Sequence, residues 1–272
     1  MSEQDSINKV STPNTVTSLR ADLLNLGLEA GMVVLVHSSL SALGWTCGGE
    51  VAVIQALQEV VRPYGTLIMP THSGHLSDPA GWENPPVPES WWETIRESMP
   101  PFDPEITPSR GMGAIPECFR SQPEVLRSTH PHVSFAAWGE KAAEVVSNHS
   151  LDYSLGEGSP LARIYEENGW VLLLGVGHDN NTSLHLAEYR ADYRKKKEFT
   201  RYAPVTVDGH RRWKAFTDIN IDSSDFDRIG HDFCNRWKSD ISVGTAGAGK
   251  AQLFRQRLCV DFAAGWLHRM RT

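Results

Sequence analysis

An α/β fold built on a central sheet is predicted by three features of the sequence. Short β-branched apolar runs alternate with amphipathic helical segments, a later segment carries hairpin turn chemistry, and the composition is that of a globular chain. Of 272 residues, 40% are apolar, 9% aromatic and 22% charged, which excludes disordered, collagen-like and low-complexity classes. The length suits one elaborate domain: a polar arm over 1–16, then a single domain over 17–272 with an insertion at about 77–108.

After the arm, Leu19, Leu23 and Leu26 recur at i, i+4 and i+7, and Gly27 stands where a helix closes, so the first helix is expected there. MVVLVHSSL is too short and too β-branched for a helix and reads as a buried strand ending in a Ser-rich loop. GGEVAVIQALQEVVRPYG puts Val53, Leu57 and Val60 on one helical face and is stopped by Pro63; TLIMPTHS is the second strand. From Ser77 to Pro108 the pattern dissolves into a proline-rich stretch with three tryptophans, too aromatic for a free linker and read as a packed loop or lid. Regular segments return as a helix in GMGAIPECFRSQ, a strand in VSFAAWG and a helix in EKAAEVVSN. SPLARIYEENG follows as a helix with Ser159 at its N-cap and Pro160 at N1. WVLLLGV is a central strand, DNNTSLHLAEYRADYRKKK a helix capped by Asn181 or Thr182, and VTVDGHRRWKAF a hairpin turned on Asp208-Gly209. A helix in IDSSDFDRIGHDFCNRWK, the glycine-rich SVGTAGAGKAQLF and a closing helix in VDFAAGWLHRM complete the chain.

Asp plus Glu outnumber Lys plus Arg, 33 to 26, and the net charge of -7 argues against a nucleic-acid backbone binder and favours a cationic ligand. The four cysteines, Cys47, Cys118, Cys234 and Cys259, lie far apart with no CxxC pair, as free thiols in a reducing compartment do. No apolar run approaches the roughly eighteen residues of a membrane span and no basic-then-apolar leader is present, so no membrane partner and a cytoplasmic location are expected.

Several short motifs fail on chemistry. Gly244 to Ala251 satisfies GxxxxGK but places Ala251 where a P-loop needs a hydroxyl for magnesium, and a plain tight turn explains it better. His72, His75 and Asp78 spell HxxHxxD and His130 and His132 spell HPH, yet neither is a metalloprotease signature; we read them as loop or ligand-contacting histidines and expect no metal. No GxSxG elbow occurs, and Cys47 before a helix reads as an inert thiol. NNTSLHLAEYRAD is different. A helix capped at Asn181 or Thr182 holds His185 in its first turn, where the positive end of the dipole favours a neutral ring, with Glu188 and Asp192 on the same stripe at i+3 and i+7. A neutral imidazole beside a carboxylate is a candidate base, to be weighed against an ordinary solvated helix face.

VLVHSSLSALGW, RSTHPHVSFAAWG, SPLARIY and LLLGVGHDNNTSLHLAEYR occur in this order and spacing, and together resemble the aminoglycoside N3-acetyltransferases from about Ser18 to the C-terminus. The long PAGWENPPVPESWW stretch is similar to the bacillus-type branch of that family. The resemblance implies an α/β/α layered sandwich around a central mixed sheet, with acetyl-coenzyme A as cosubstrate and acetyl transfer to the 3-amino group of the 2-deoxystreptamine ring. His185 matches the family's catalytic histidine, with Asp218 or Glu188 as the carboxylate that orients it. The family holds pantetheine and phosphates where this chain has His37, Ser38, Ser39 and Leu40, together with Arg110, Arg127, Ser128, His130 and Ser134. A polycationic sugar would be met by Asp78, Glu83, Glu89, Asp103 and Asp179. The implied protein is a monomer or homodimer that binds coenzyme A and an aminoglycoside or other cationic amine. A same-fold acetyltransferase for a biosynthetic amine, or a non-catalytic coenzyme A or sugar binder, remains open.

Overall fold

The computed structural model describes residues 2–272. The first half of the chain runs α1 (Glu3–Ile7), α2 (Val16–Asn25), β1 (Val33–Ser38), α3 (Leu40–Leu43), α4 (Gly49–Val61), β2 (Thr66–Pro70), α5 (Trp92–Ser98), α6 (Ala114–Arg120), β3 (Leu126–Arg127) and β4 (Phe135–Gly139). It continues through α7 (Ala142–Val146), α8 (Pro160–Glu166), β5 (Trp170–Leu174), α9 (Ser183–Arg190), β6 (Glu198–Val207) and β7 (His210–Ile219). The last elements are α10 (Phe226–Arg236), β8 (Ile241–Ala246), β9 (Gly249–Arg255) and α11 (Gln256–Met270).

Strand side chains alternate between faces, and here both faces are apolar, which forces helices onto both sides. Val33, Leu35, Val171, Leu173 and Phe254 face a core made with α7 to α11, including Val145, Leu161, Leu184, Phe233 and Trp266. Val34, Val36, Leu172, Leu174 and Leu253 face the opposite core with α2, α4 and α6, including Leu19, Leu23, Leu57 and Phe119. The seven-stranded sheet has the order β3-β4-β2-β1-β5-β9-β8. β1 pairs in parallel with β2 and β5, while β4, β3, β9 and β8 add antiparallel strands outside them. The mixed α/β/α sandwich implied by the family resemblance is therefore the fold.

The hairpin is a separate two-stranded sheet of β6 and β7, turned at Asp208 and Gly209 with φ of 50° and 73°. Two successive positive φ values are those of the tight turn that Asp-Gly favours. The 77–108 insertion is packed against this hairpin: Arg211 Nε donates to the Met99 carbonyl at 2.6 Å, and the Phe102 amide donates to the Pro204 carbonyl at 3.0 Å.

Some local expectations change. The helix expected to run through the RKKK segment stops at Arg190, because Ala191 is already extended and Lys196 Nζ donates to the carbonyls of Tyr189 and Ala191. Asp192 thus leaves the stripe shared by His185 and Glu188. Ser159 precedes α8 as expected, but its hydroxyl donates to the Gly156 carbonyl at 2.6 Å rather than capping the helix. The glycine-rich tail is the β8–β9 hairpin on the sheet edge, with Gly247 at its turn (φ 55°). α1 gives the polar arm a capped helix: the Ser2 hydroxyl accepts the Asp5 amide and Asp5 accepts the Ser2 amide. Among the described residues no helix is long and apolar enough to cross a membrane.

Candidate active site

The parallel strands β2, β1 and β5 end on the same edge of the sheet, and in open α/β sheets that edge is where ligands bind. The segments leaving them carry His72, then His37 to Ser39, then Gly175 to His178. A cleft of about 750 Å³ opens there, lined by Ser38, Ser39, Leu40, Gly111 to Ala114, Gly175 to Gly177 and Asp179, with Glu3 and Ser6 of α1 on its rim. It shares Ser38, Gly111, Met112, Asp179 and Asn180 with an inner chamber of about 200 Å³ that adds His37, His72, Thr182, His185 and Phe226.

His185 reaches the chamber because of how α9 begins. The buried Asn181 side chain accepts the Ser183 amide at 3.2 Å, while Thr182, with no side-chain cap bond, stands at the N-cap in helical conformation. His185 is then the third helical residue. Its Nδ1 lies 2.5 Å from Glu188 Oε2 and its ring packs on Phe226 at 4.8 Å. The tautomer with its proton on Nδ1 donates to this carboxylate and leaves a lone pair on Nε2, and His185 lines the chamber. Glu188 is fully buried, and its other oxygen accepts the Asp222 amide at 2.9 Å and Arg271 Nη1 at 2.5 Å.

The chamber also holds buried polar atoms with no partner among the described residues: His37 Nε2, Ser38 Oγ and His72 Nε2. Such atoms are costly unless a ligand satisfies them. Burial first, then the nearby His178 and His185, holds His37 neutral with a pKa of about 3; burial followed by His185 and His37 does the same for His72.

The expected site residues divide sharply. His37, Ser38, Ser39, Leu40, Asp179, His185 and Glu188 converge on the cleft or stand behind it. Asp218 does not serve as the partner of His185: its carboxylate accepts the Tyr189 hydroxyl at 2.5 Å and the Ser154 hydroxyl at 2.7 Å, with Arg201 at 3.6 Å. Nor do Arg127, Ser128, His130 and Ser134 line the cleft. Arg127 spends its donors on Thr71, Ser134 and the Thr107 carbonyl, and Ser134 donates to the Thr71 carbonyl. Ser128 bonds to His149 Nδ1 at 2.9 Å, and His130 Nδ1 accepts the amides of His132 and Val133. This buried block braces the Thr71–Ser73 segment, and through it His72.

The acidic set divides in the same way. Asp78 is held by a bidentate pair with Arg96, at 3.0 and 2.8 Å, and Asp103 accepts the amides of Glu105 and Ile106. Glu83 and Arg110 line a separate depression with His75 and Trp82, and Glu89 is exposed on the 77–108 segment. His72, His75 and Asp78 consequently do not converge, and among the described residues no group of three such side chains is arranged to hold a metal. Sequence reasoning missed Arg271 and the Gly111–Met112 wall, whose closeness to His185 has no local signal.

Residues 35–268 match the sequence profile of a family described as aminoglycoside 3-N-acetyltransferase. The chain is 47% identical over 261 residues to the SPbeta prophage-derived aminoglycoside N(3')-acetyltransferase-like protein YokD of Bacillus subtilis, covering 96% of this chain and 94% of that one. The YokD crystal structure superposes with a TM-score of 0.95 over 98% of both chains at 46% identity. AAC-IIIb in a binary complex with CoASH matches with a TM-score of 0.84 and 33% identity, over 95% of this chain and 97% of that one. AAC-VIa bound to sisomicin matches at 0.85 and 30% identity, over 96% and 100%.

Proposed function

The chain belongs to the aminoglycoside 3-N-acetyltransferase family, and on that premise we propose that it transfers acetyl from acetyl-coenzyme A to the 3-amino group of a 2-deoxystreptamine aminoglycoside, with His185 as general base. The observation that carries this reading is the His185–Glu188 pair on the wall of a chamber that shares residues with an open cleft. An ammonium group has no lone pair, so the amine attacks the thioester carbonyl in its neutral form and must shed a proton as the bond forms. Nε2 takes that proton, and Glu188 holds the ring and stabilises the imidazolium. Collapse of the tetrahedral adduct breaks the C–S bond, and the proton passes from His185 to the departing thiolate. The amide and free coenzyme A are the products, with no acetyl-enzyme.

The site fits the cosubstrate. Among the described residues Ser38 Oγ, His37 Nε2 and His72 Nε2 have no partner, which leaves them to the polar groups of a bound cosubstrate. The outer cleft of about 750 Å³ is large enough for a flexible pantetheine arm. The bound CoASH of one relative and the bound sisomicin of another support the two substrate classes.

A second reading, a same-fold acetyltransferase for a less highly charged amine, draws on one observation. Asp78 and Asp103 are committed within the lid, which leaves Asp179 as the one carboxylate of the expected set in the cleft. Thiol release from acetyl-coenzyme A, measured over a panel of deoxystreptamine compounds and of simple mono- and diamines, separates the two. Turnover with the aminoglycosides supports the first reading; turnover confined to the simple amines overturns it.

A further inference from the structure

Glu188 has three polar claims on it, and the least expected comes from the other end of the chain. Arg271, the penultimate residue, lies directly after α11 and is nine-tenths buried. Its Nη1 donates to Glu188 Oε1 at 2.5 Å, while Nε and Nη2 clasp Asp225 at 2.8 and 2.6 Å. Nη2 also donates to the Asp222 carbonyl, and the guanidinium sits over the Tyr193 ring at 5.3 Å. Nearby, His268 of α11 bonds to the Asp192 carbonyl at 2.6 Å, fixing the helix end that delivers Arg271 to the segment after α9.

We infer that Arg271 is a positioning residue for acetyl transfer: by holding Glu188 Oε1 it turns Oε2 onto His185 Nδ1 and compensates the carboxylate's charge, so that His185 need not serve as its counter-ion. This rests on the reading of His185 as the base. Arg271 and His185 compete to neutralise Glu188. A buried carboxylate demands a nearby cation, and if Arg271 did not supply it the imidazole would, staying protonated and unable to accept a proton from the amine. A planar fork with donors to two carboxylates and a carbonyl suits this task, whereas a lysine ammonium reaches fewer acceptors at once.

The titrating and charged neighbours of His185 come from every element around it. Glu188 lies on its own helix, His37 at the end of β1, His72 beyond β2, Asp179 in the turn before α9, and Asp222 before α10. Arg271 and Asp225 stand behind Glu188. Among these, Arg271 is the cation bonded to Glu188.

The test is the pH profile of kcat/KM for Arg271→Ala and Arg271→Lys, each also made in a His185→Ala background, with thermal melts confirming which variants fold. Arg271→Ala should lower kcat by about 10- to 100-fold, leave KM for acetyl-coenzyme A nearly unchanged, and move the acid limb to higher pH by about one unit or more. Arg271→Lys should fall between Ala and the parent. In the His185→Ala background Arg271→Ala should cost little further, because its effect passes through the imidazole. A folded Arg271→Ala or Arg271→Lys protein whose acid limb does not move, or an equal loss in both backgrounds, would overturn the inference. If His185→Ala itself turned over normally, the base reading would fail instead.

Discussion

His185 and Glu188 form the smallest unit of the account, one turn of helix apart. His185→Ala should lower kcat by about 100-fold or more, the usual scale for loss of a general base, while calorimetry finds acetyl-coenzyme A binding nearly unchanged. A kcat within a few-fold of the parent would remove the imidazole from the reaction. Of the two carboxylates expected as its partner, Glu188 is the one in contact with the ring, at 2.5 Å. Steady-state thiol release should therefore fall about tenfold or more in Glu188→Gln and stay within a few-fold in Asp218→Asn, whose carboxylate holds Tyr189 and Ser154 instead. The reverse order would move the orienting role to Asp218. The pair was legible in the sequence because i, i+3 spacing on a helix is local information. Arg271 was not, since 83 residues separate it from Glu188 and only the packing of α11 against α9 brings them together.

At the scale of elements, the strands and most helices were legible because the two faces of β1, β2 and β5 are both apolar and the flanking segments carry helical periodicity. What composition could not tell is where polar side chains spend their hydrogen bonds. The Arg127–Ser134 block has the residue types of a phosphate site, but burial turns its donors onto Thr71, Thr107 and one another. Arg127→Ala should accordingly lower unfolding free energy by about 2–3 kcal/mol in a denaturant titration, as buried acceptors lose their donor, with little change in KM for acetyl-coenzyme A. A large rise in that KM at unchanged stability would restore Arg127 as a cofactor ligand. Asp179, in contrast, lines both parts of the cleft. Asp179→Asn should raise KM for a polycationic substrate more than it lowers kcat, and added salt should shrink the difference, because the attraction is screened over roughly 8 Å at physiological ionic strength.

For the whole molecule, buried histidines tie stability to pH. Burial, ahead of any neighbouring charge, lowers His37 to about 3, His132 and His149 to about 4, and His130 well below its ordinary value. Two of them use the neutral ring directly. His130 and His149 each accept on Nδ1 and meet a carbonyl at Nε2, and His132 Nε2 meets the Leu76 carbonyl. Their folded values lie below the unfolded value near 6.5, so the unfolded chain binds the extra protons and stability is full above that pH. It is lost as pH falls towards about 4, by about 1.4 kcal/mol per pH unit for each histidine in that window. Urea midpoints recorded from pH 7 down to pH 4.5 should decline steeply; a flat series would mean that these rings accept protons in the folded state.

The proposed reaction is one chemical event, the formation of an amide at a single nitrogen of an aminoglycoside with several amines. NMR of the product made from acetyl-coenzyme A and a gentamicin-type compound places that bond most directly. The account predicts one acetyl group, on the 3-amino nitrogen of the deoxystreptamine ring. Acetylation at another amine, or no acetylated product from any deoxystreptamine compound, would contradict it.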